Sequence, residues 1–523
     1  MSPAVRTETT PATFPLRLAC VDTGSNAIRF MAAEFREADR FTELEYERVP
    51  VRLGHQVFLR GRLAPRTMDA AIAAFVSFRQ HLETLDIPHH RAVATSAVRE
   101  ARNGDLLVER IHRESGIRLE VITGAEEARL VHRAVASRID LSGGKWVLVD
   151  LGGGSVEVSL VDDAGMLWSE SHTMGSVRLL EELSEAAKEP GRFRQLLDEY
   201  VSVLRIPSPA QYWAPSGFIA TGGNIESLAK LAAAPTDPAG VSHLPVDDLE
   251  ALIQLLTRLS YRERMDQLDL RSDRADVILP AATVYLRLAR EAGVSHILVP
   301  HVGVKEGLLL DLAHTLTSSD QGRGSLEAQL SQSAISLGRR FMFDEAHGVH
   351  VGHLAVRLYD LLSELHGLGA RDRQLLLAAA ILHDIGTFIS FKKHHKHSLY
   401  LIYRSELPGL TPTENLVVAN VARYHRKSHP QPHHSEYMKL PAEDRVRVDQ
   451  LGAILRVADA LDRQHRQLVA EIEMEVRGLE LRLTLHGEGD LLLERWALSR
   501  KKGLFEETFG YQVSVVTQGP SER

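Results

Sequence analysis

LRLACVDTGSNAIRFMAAEF, residues 16–35, reads as an apolar strand, a turn opening on Asp22 and holding Gly24, Ser25 and Asn26, and a second apolar strand. KWVLVDLGGGSVEVSLV, residues 145–161, repeats that plan around Asp150, Gly152, Gly153, Gly154 and Ser155. Two hairpins with acidic, glycine-rich turns predict two similar lobes facing one cleft. Backbone N–H groups of a glycine run converge on an anion without steric obstruction, and a serine hydroxyl adds a donor. Asp22 and Asp150, at the same offset in the two turns, offer hard oxygen ligands for Mg²⁺ or its waters. One such turn alone is ordinary hairpin chemistry; the matched pair points to phosphate. Gly222 and Gly223 close a further strand in GFIATGG, residues 217–223, and suit a phosphate contact and a plain turn equally.

Outward from the hairpins, Met68, Ile72, Phe75, Val76 and Leu82 keep helical spacing, and RAVATSAVRE (91–100) holds a short strand ending at Thr95. A second α/β lobe follows. After GFIATGG, Asn224 is placed to cap a helix, and HILVPHVGVKEGLLLDLA (296–313) reads strand, turn, helix. The lobes are placed at residues 14–135 and 136–314, with a loose arm over residues 1–13. TLTSSDQGRGS (315–325) is polar and rich in Ser and Gly, so a linker is placed there. Residues 326–470 are helical in period and rich in histidine, while EMEVRGLELRLTLHG (473–487) alternates as strands of a small unit over 471–523.

A chain of 523 residues is too long for one core. Its 44% hydrophobic and 25% charged residues are ordinary for a globular protein. The single cysteine, Cys20, excludes an internal disulfide, so a cytoplasmic location is expected. The longest apolar runs fall far short of the roughly 20 residues of a spanning helix, and no membrane span is expected. A net charge of -8 argues against a generally basic protein, so DNA or RNA is not expected as a partner and an anion must be held by local donors.

DTGSNAIRF (22–30), ATSAVREARN (94–103), EVITGAEEARL (120–130), VDLGGGSVE (149–157), ATGG (220–223) and GVKEGLL (303–309) resemble, in order and spacing, the motifs of the exopolyphosphatase / guanosine pentaphosphate phosphatase family of the actin-like superfamily. The resemblance spans roughly residues 16–313. It implies an α/β actin-like (ASKHA, ribonuclease H-like) two-lobed core. It also implies that Glu127 is the catalytic base, that Arg99 clamps phosphate, and that Asp150 and Glu157 flank the second phosphate turn near a Mg²⁺ ion. Ser25 and Asn26 belong to the first turn. By position alone, Glu126 and Glu127 sit in the first turn of a helix, where they favour its dipole. Phosphoryl transfer asks for an oriented water and neutralised charge, which a carboxylate base and an arginine supply.

Many of the 25 histidines fall in short groups: HGVH (347–350), His383 beside Asp384, KKHHKH (392–397) and YHRK (424–427), followed by VADALDR (457–463). Adjacent His and Asp on one helix, completed by a distant His and a distant Asp, can hold a divalent cation. This order resembles the HD phosphohydrolase superfamily. Carried over by position, the resemblance implies a metal set of His347, His383, Asp384 and Asp459 in an all-α HD domain followed by a small α+β unit. His395, His397 and His425 are candidates for a second metal or for phosphate contacts. Lys392, Lys393, Arg426 and Lys427 join them as candidate contacts for a long polyanion, beside the reading as solvated helix ends.

The function implied is exopolyphosphatase activity, the metal-dependent removal of terminal phosphate from inorganic polyphosphate. Guanosine pentaphosphate 5′-phosphohydrolysis is the alternative, and a nucleotide-responsive regulator acting through the HD domain is a third reading. A homodimer is expected.

Overall fold

The structure, a computed structural model, describes residues 12–163, 165–183, 190–206, 215–317 and 320–518. Most of the arm expected over residues 1–13 therefore lies outside the described residues, as do residues 318–319 of the expected linker. The chain divides into two compact units, residues 1–325 and 326–523.

In the first unit, β1 (Leu16–Thr23), β2 (Ile28–Glu37) and β3 (Arg40–Val49) form an antiparallel meander. β4 (His89–Ala94) and β5 (Leu119–Val121) add to it in parallel, in the order β3-β2-β1-β4-β5. The second sheet uses β6 (Trp146–Leu151), β7 (Val156–Asp162), β8 (Gly165–His172), β9 (Gly217–Thr221), β10 (Ser242–Pro245) and β11 (His296–Val299) in the order β10-β11-β9-β6-β7-β8. Its meander β6-β7-β8, continued in parallel by β9 and β11, repeats the plan of the first sheet. Thr23 pairs with Ile28, and Leu151 with Val156, so each glycine-rich turn is the four-residue loop of a hairpin.

β1 shows why its run is apolar throughout. Ala19 and Val21 pack on one face with Met68, Phe75 and Phe78 of the helix Pro65–Thr84, while Leu18 and Cys20 pack on the other with Leu130 and Leu308. Both faces of the strand are covered, so the period-2 alternation of a half-exposed strand is absent.

Leu130 lies on α1 (Gly124–Ala136) and Leu308 on α2 (Val304–Thr317). The core cluster of these helices also takes Leu148, Val161 and Ile219 of the second sheet, so α1 and α2 pack between the sheets. A Cβ on Gly307 would come within 2.0 Å of the Leu130 carbonyl oxygen, so the close approach of the helices requires glycine there. Arg129 pairs with Glu126 and Asp311, and Arg91 reaches Asp311 at 3.0 Å, tying both helices to β4. The expected second lobe of 136–314 is corrected here: α2 packs chiefly on α1 and the first sheet, so the chain returns to complete the first lobe.

The second unit contains α3 (Glu345–Leu361), α4 (Ala370–Leu382), α5 (His394–Ser405), α6 (Pro412–Arg423) and α7 (Ala442–Ala460). Thr411 and Glu414 form a capping box on α6, with Pro412 in the first turn, and Asp344 caps α3. β12 (Val469–Arg477), β13 (Glu480–Gly487) and β14 (Gln512–Gln518) form a three-stranded sheet, and α8 (Leu492–Lys501) lies between β13 and β14 in sequence. Ile472, Leu481, Leu483, Leu485 and Val513 share one core with the helices, so the boundary expected at 470/471 does not separate two cores. The linker of 315–325 is corrected as well, because a helix runs over Asp320–Arg340. Its Ser and Gly content reads locally as a breaker, but each glycine costs only about 1 kcal/mol in a helix. Among the described residues, no helix is long and apolar enough to cross a membrane.

Candidate functional site

In the first unit the two glycine turns meet. A Cβ on Gly153 would lie 2.9 Å from Ser25 Cβ, so the second turn approaches the first more closely than a side chain permits. Ser25 Oγ is 2.9 Å from Ser96 Oγ, and Asn26 Nδ2 donates to the Asp273 carbonyl at 2.9 Å. Around the turns is a cleft of about 300 Å³, lined among others by Asp22, Ser25, Asn26, Glu127, Asp150, Gly152, Gly153, Gly222 and Gly223. Gly154 and Ser155 stand behind it: a Cβ on Gly154 would strike Phe58 and Ser96, and Ser155 is buried.

Glu127 is placed by the start of α1. Thr123 Oγ1 accepts the Glu126 N–H at 3.2 Å and the Thr123 carbonyl accepts the Glu127 N–H at 3.0 Å, so the first turn is capped and its two glutamates diverge. Glu126 turns to Arg129, whereas Glu127 enters the cleft. Oxygen atoms of Glu127, Asp150 and Glu157 lie within 4.8 Å of one another. Asp150 accepts a hydrogen bond from Thr221 at 2.6 Å, and Glu157 accepts one from Ser171 at 2.8 Å. Glu127 Oε2 and Glu157 Oε2 are buried without a hydrogen-bond partner. Burial first, and the Glu157 charge second, hold the Glu127 carboxyl well above its ordinary value. Burial likewise pushes Asp150 up to about 6 and Glu157 up to about 7. Three crowded carboxylates, two of them with an orphaned oxygen, fit a hard divalent cation, which would relieve both their repulsion and their desolvation.

Asp22 lines the same cleft but is paired with Arg29 at 2.7 Å and stands outside the three-carboxylate group. Arg99 donates from Nη1 to the Ile122 carbonyl at 2.6 Å and lies 3.9 Å from Glu127 Oε2. Both contacts are made by the one Nη1 atom, and the remaining N–H groups of the guanidinium would offer a phosphate a planar set of donors that a lysine ammonium cannot copy. Arg99→Lys is expected to lower turnover roughly tenfold, the cost of one charged hydrogen bond. An unchanged steady-state rate would remove Arg99 from the catalytic set.

Sequence reasoning did not single out Arg29, Arg48, Arg271, Arg274 and Lys305, which also line the cleft. Arg29 had a signal, since it sits in the same motif as Ser25, and so had Lys305, which lies in GVKEGLL; Arg48, Arg271 and Arg274 come from segments with no motif. Arg274 donates to Asn224, which in turn donates to Ser176 Oγ at 3.1 Å. Asn224 is therefore a cleft residue rather than the expected helix cap, and Gly222 occupies the cap position.

In the second unit the set implied by resemblance converges. His347 Nε2 is 3.9 Å and His383 Nε2 3.7 Å from Asp459 Oδ1, and His383 Nε2 is 3.7 Å from Asp384 Oδ1. His347 Nδ1 is held by Asp462 at 2.8 Å, and His383 Nδ1 donates to the Ala380 carbonyl at 2.7 Å, so both Nε2 atoms carry the free lone pair when neutral. His347 Nε2, His383 Nε2 and Asp384 Oδ1 are buried without a hydrogen bond, which fits metal ligation. Lys501, at the end of α8, pairs with Asp459. His425 reaches this cluster, as does His394, whereas His395 and His397 do not join the groups of ligand atoms. His394 was missed because three histidines in KKHHKH compete and only the phase of α5 chooses among them. Arg426 contacts His394, Lys427 follows it in sequence, and Lys392 and Lys393 are exposed at the start of α5.

A model of the Ppx/GppA phosphatase family matches residues 33–316, and one of Ppx/GppA phosphatase, domain III, matches residues 331–502. The guanosine-5′-triphosphate,3′-diphosphate pyrophosphatase of Vibrio vulnificus (strain YJ016) is 24% identical over 477 residues, covering 90% of this chain and 92% of its own. An exopolyphosphatase from Cytophaga hutchinsonii ATCC 33406 is 25% identical with a TM-score of 0.50, over 58% of this chain and 100% of that one. The Aquifex aeolicus member of the Ppx/GppA family is also 25% identical, with a TM-score of 0.49 over 58% of this chain and 99% of its own.

Proposed function

The chain belongs to the Ppx/GppA phosphatase family, and from that premise we propose that its cleft hydrolyses the terminal phosphate of inorganic polyphosphate. The observation carrying this reading is the meeting of Glu127, Asp150 and Glu157 with two glycine turns in a cleft lined by Arg29, Arg48, Arg271, Arg274 and Lys305. Those cations suit a run of phosphates, and Tyr46 is the one aromatic side chain among the described residues that line the cleft.

In this mechanism the N–H groups of the glycine turns receive the terminal phosphate, and the surrounding arginines neutralise its oxygens. Asp150 and Glu157 would hold a Mg²⁺ ion, which supplies further charge neutralisation on the phosphate. Glu127 orients a water molecule and takes its proton as the water oxygen bonds to phosphorus and the bridging P–O bond breaks. Its raised affinity for a proton suits a base. In the second unit we assign a divalent cation to His347, His383, Asp384 and Asp459, with Asp462 orienting His347.

Guanosine pentaphosphate, cut at its 5′ γ-phosphate, is the second reading, favoured by the Vibrio vulnificus relative that matches 90% of the chain. Both substrates present a terminal phosphoanhydride, so the cleft chemistry is common to them. Phosphate release from long-chain polyphosphate, guanosine pentaphosphate and ATP at equal concentration separates the readings. Polyphosphate is expected to give the highest kcat/KM; a higher value for guanosine pentaphosphate would establish the second reading, and a higher value for ATP would reject both.

A further inference from the structure

We propose that Asp273 and Asp276 are positioning residues for the chemistry of the cleft: they fasten the segment that carries Arg271 and Arg274 to the first lobe, and so hold the arginines of both lobes around the cleft. The inference rests on the reading of the cleft as a phosphate site.

The segment RSDRAD, residues 271–276, interleaves two arginines with two aspartates, the members of each pair three residues apart. Asp273 and Arg274 lie on a short helical turn, Ser272–Ala275, where that spacing puts like residues toward a common side. Arg271 and Arg274 line the cleft, while the two aspartates meet the first lobe. Behind the turn, Ala275 and Ile278 share a core with Val149 and Ala220 of the second sheet, so the segment belongs to the second lobe.

Among the described residues, two ion pairs cross from it. Asp273 Oδ2 accepts from Arg48 of β3 and, at 3.3 Å, from Asn26 Nδ2, which also donates to the Asp273 carbonyl at 2.9 Å. Asp276 Oδ2 accepts from Arg52 Nη2 at 2.7 Å. The Arg48 and Asp273 side chains are 11% and 9% exposed, so neither charge finds much water if its partner is taken away. The contact therefore holds a cleft arginine and a residue of the first glycine turn at once.

Charge explains why carboxylates do the fastening. Arg29, Arg48, Arg271 and Arg274 converge on a cleft of about 300 Å³, and like charges repel. Burial first, and then the charges of Arg29, Arg271 and Arg48, push the Arg274 guanidinium down to about 10, while Asp273 opposes them. Asp273 is the counter-charge that lets the arginines stand assembled before a phosphate arrives, so the substrate does not have to gather them. Arg48 Nε and Arg274 Nε are buried without a hydrogen-bond partner, and each keeps a donor for a phosphate oxygen after the fastening is made.

Arg52 and Asp276 stand outside the described residues that line the cleft, so replacing them removes no contact with substrate. The test is steady-state kinetics of the full-length protein on long-chain polyphosphate, with Arg52→Ala, Asp276→Asn and the double variant. Each single variant is expected to raise KM about tenfold, the worth of one charged hydrogen bond, with kcat changed much less. The double variant should match the singles, because the same contact is lost in all three. An unchanged KM, or increases that multiply in the double variant, would overturn the inference. A lower KM would also overturn it, since the fastening would then obstruct the cleft. The Arg52 side chain is 33% exposed, so Arg52→Ala carries the test should Asp276→Asn fail to fold. If the unaltered protein releases phosphate from neither polyphosphate nor guanosine pentaphosphate, the premise has failed instead. The distance between spin labels at the exposed positions Ala70 and Gln254, one on each lobe, then decides the fastening by itself. A longer or broader distribution is expected in Arg52→Ala, and an identical one would refute it.

Discussion

Glu127→Gln is expected to abolish measurable phosphate release, lowering kcat by about 10²–10⁴-fold, the usual contribution of a positioned base. The substitution keeps the size of the side chain and the capped start of α1, so substrate binding should persist. Glutamine cannot accept the proton of the attacking water, whereas the glycine turns and the five cations lining the cleft remain in place. Steady-state kinetics with a parallel binding measurement checks this, and full activity in the variant would place the base elsewhere. The pH dependence follows from the same geometry. Burial, and then Glu157, raise the Glu127 proton affinity, and only the deprotonated form can act as base. The rate of the unaltered enzyme should therefore rise with pH through the range in which Glu127 loses its proton. The residual rate of Glu127→Gln should lack that limb.

His383→Ala combined with Asp384→Ala is expected to strip the second unit of divalent metal while phosphate release in the first unit continues. His383 is fully buried and Asp384 presents an oxygen without a hydrogen bond, so both are committed to the cluster rather than to the surrounding core. Removing two of the four ligands leaves His347 and Asp459, too few for firm binding. Lys501 still neutralises Asp459 in the variant, which limits the penalty of a bare buried carboxylate. Turnover should persist, because Glu127, Asp150, Glu157 and both glycine turns belong to the first unit. Metal counting paired with kinetics decides it. Unchanged metal content would reject the ligand set, and loss of all phosphate release by a folded variant would move the chemistry to the second unit.

Both results depend on features that differ in how far a linear reading reaches them. The two hairpins were legible because each is local: an apolar run, a glycine turn and a second run lie within about 20 residues of each other. Their equivalence signalled two lobes, and the repeated strand order of the two sheets carries that further than the motifs did. Glu126 and Glu127 announced the first turn of α1 for the same local reason, whereas the cap at Thr123 came from the structure. The grouping of His347, His383, Asp384 and Asp459 was legible only as an order of residue types that resembles a known pattern.

The rest depended on distances through space. Glu126 and Glu127 are neighbours in the chain, yet one is spent on Arg129 and the other faces the cleft, a division set by helix phase against α2. KKHHKH offers three histidines, and the seating of α5 delivers His394 to Asp384. The Arg274 side chain reaches Asn224 and the backbone of Gly223 although 50 residues separate Arg274 from Asn224 in sequence, a contact that no local pattern announces. Local sequence thus determined the elements and the turn chemistry, since backbone conformation and side-chain period are properties of near neighbours. Tertiary structure decided which polar atoms share a site, because only packing of apolar faces fixes the rotation of each helix and the order of each strand.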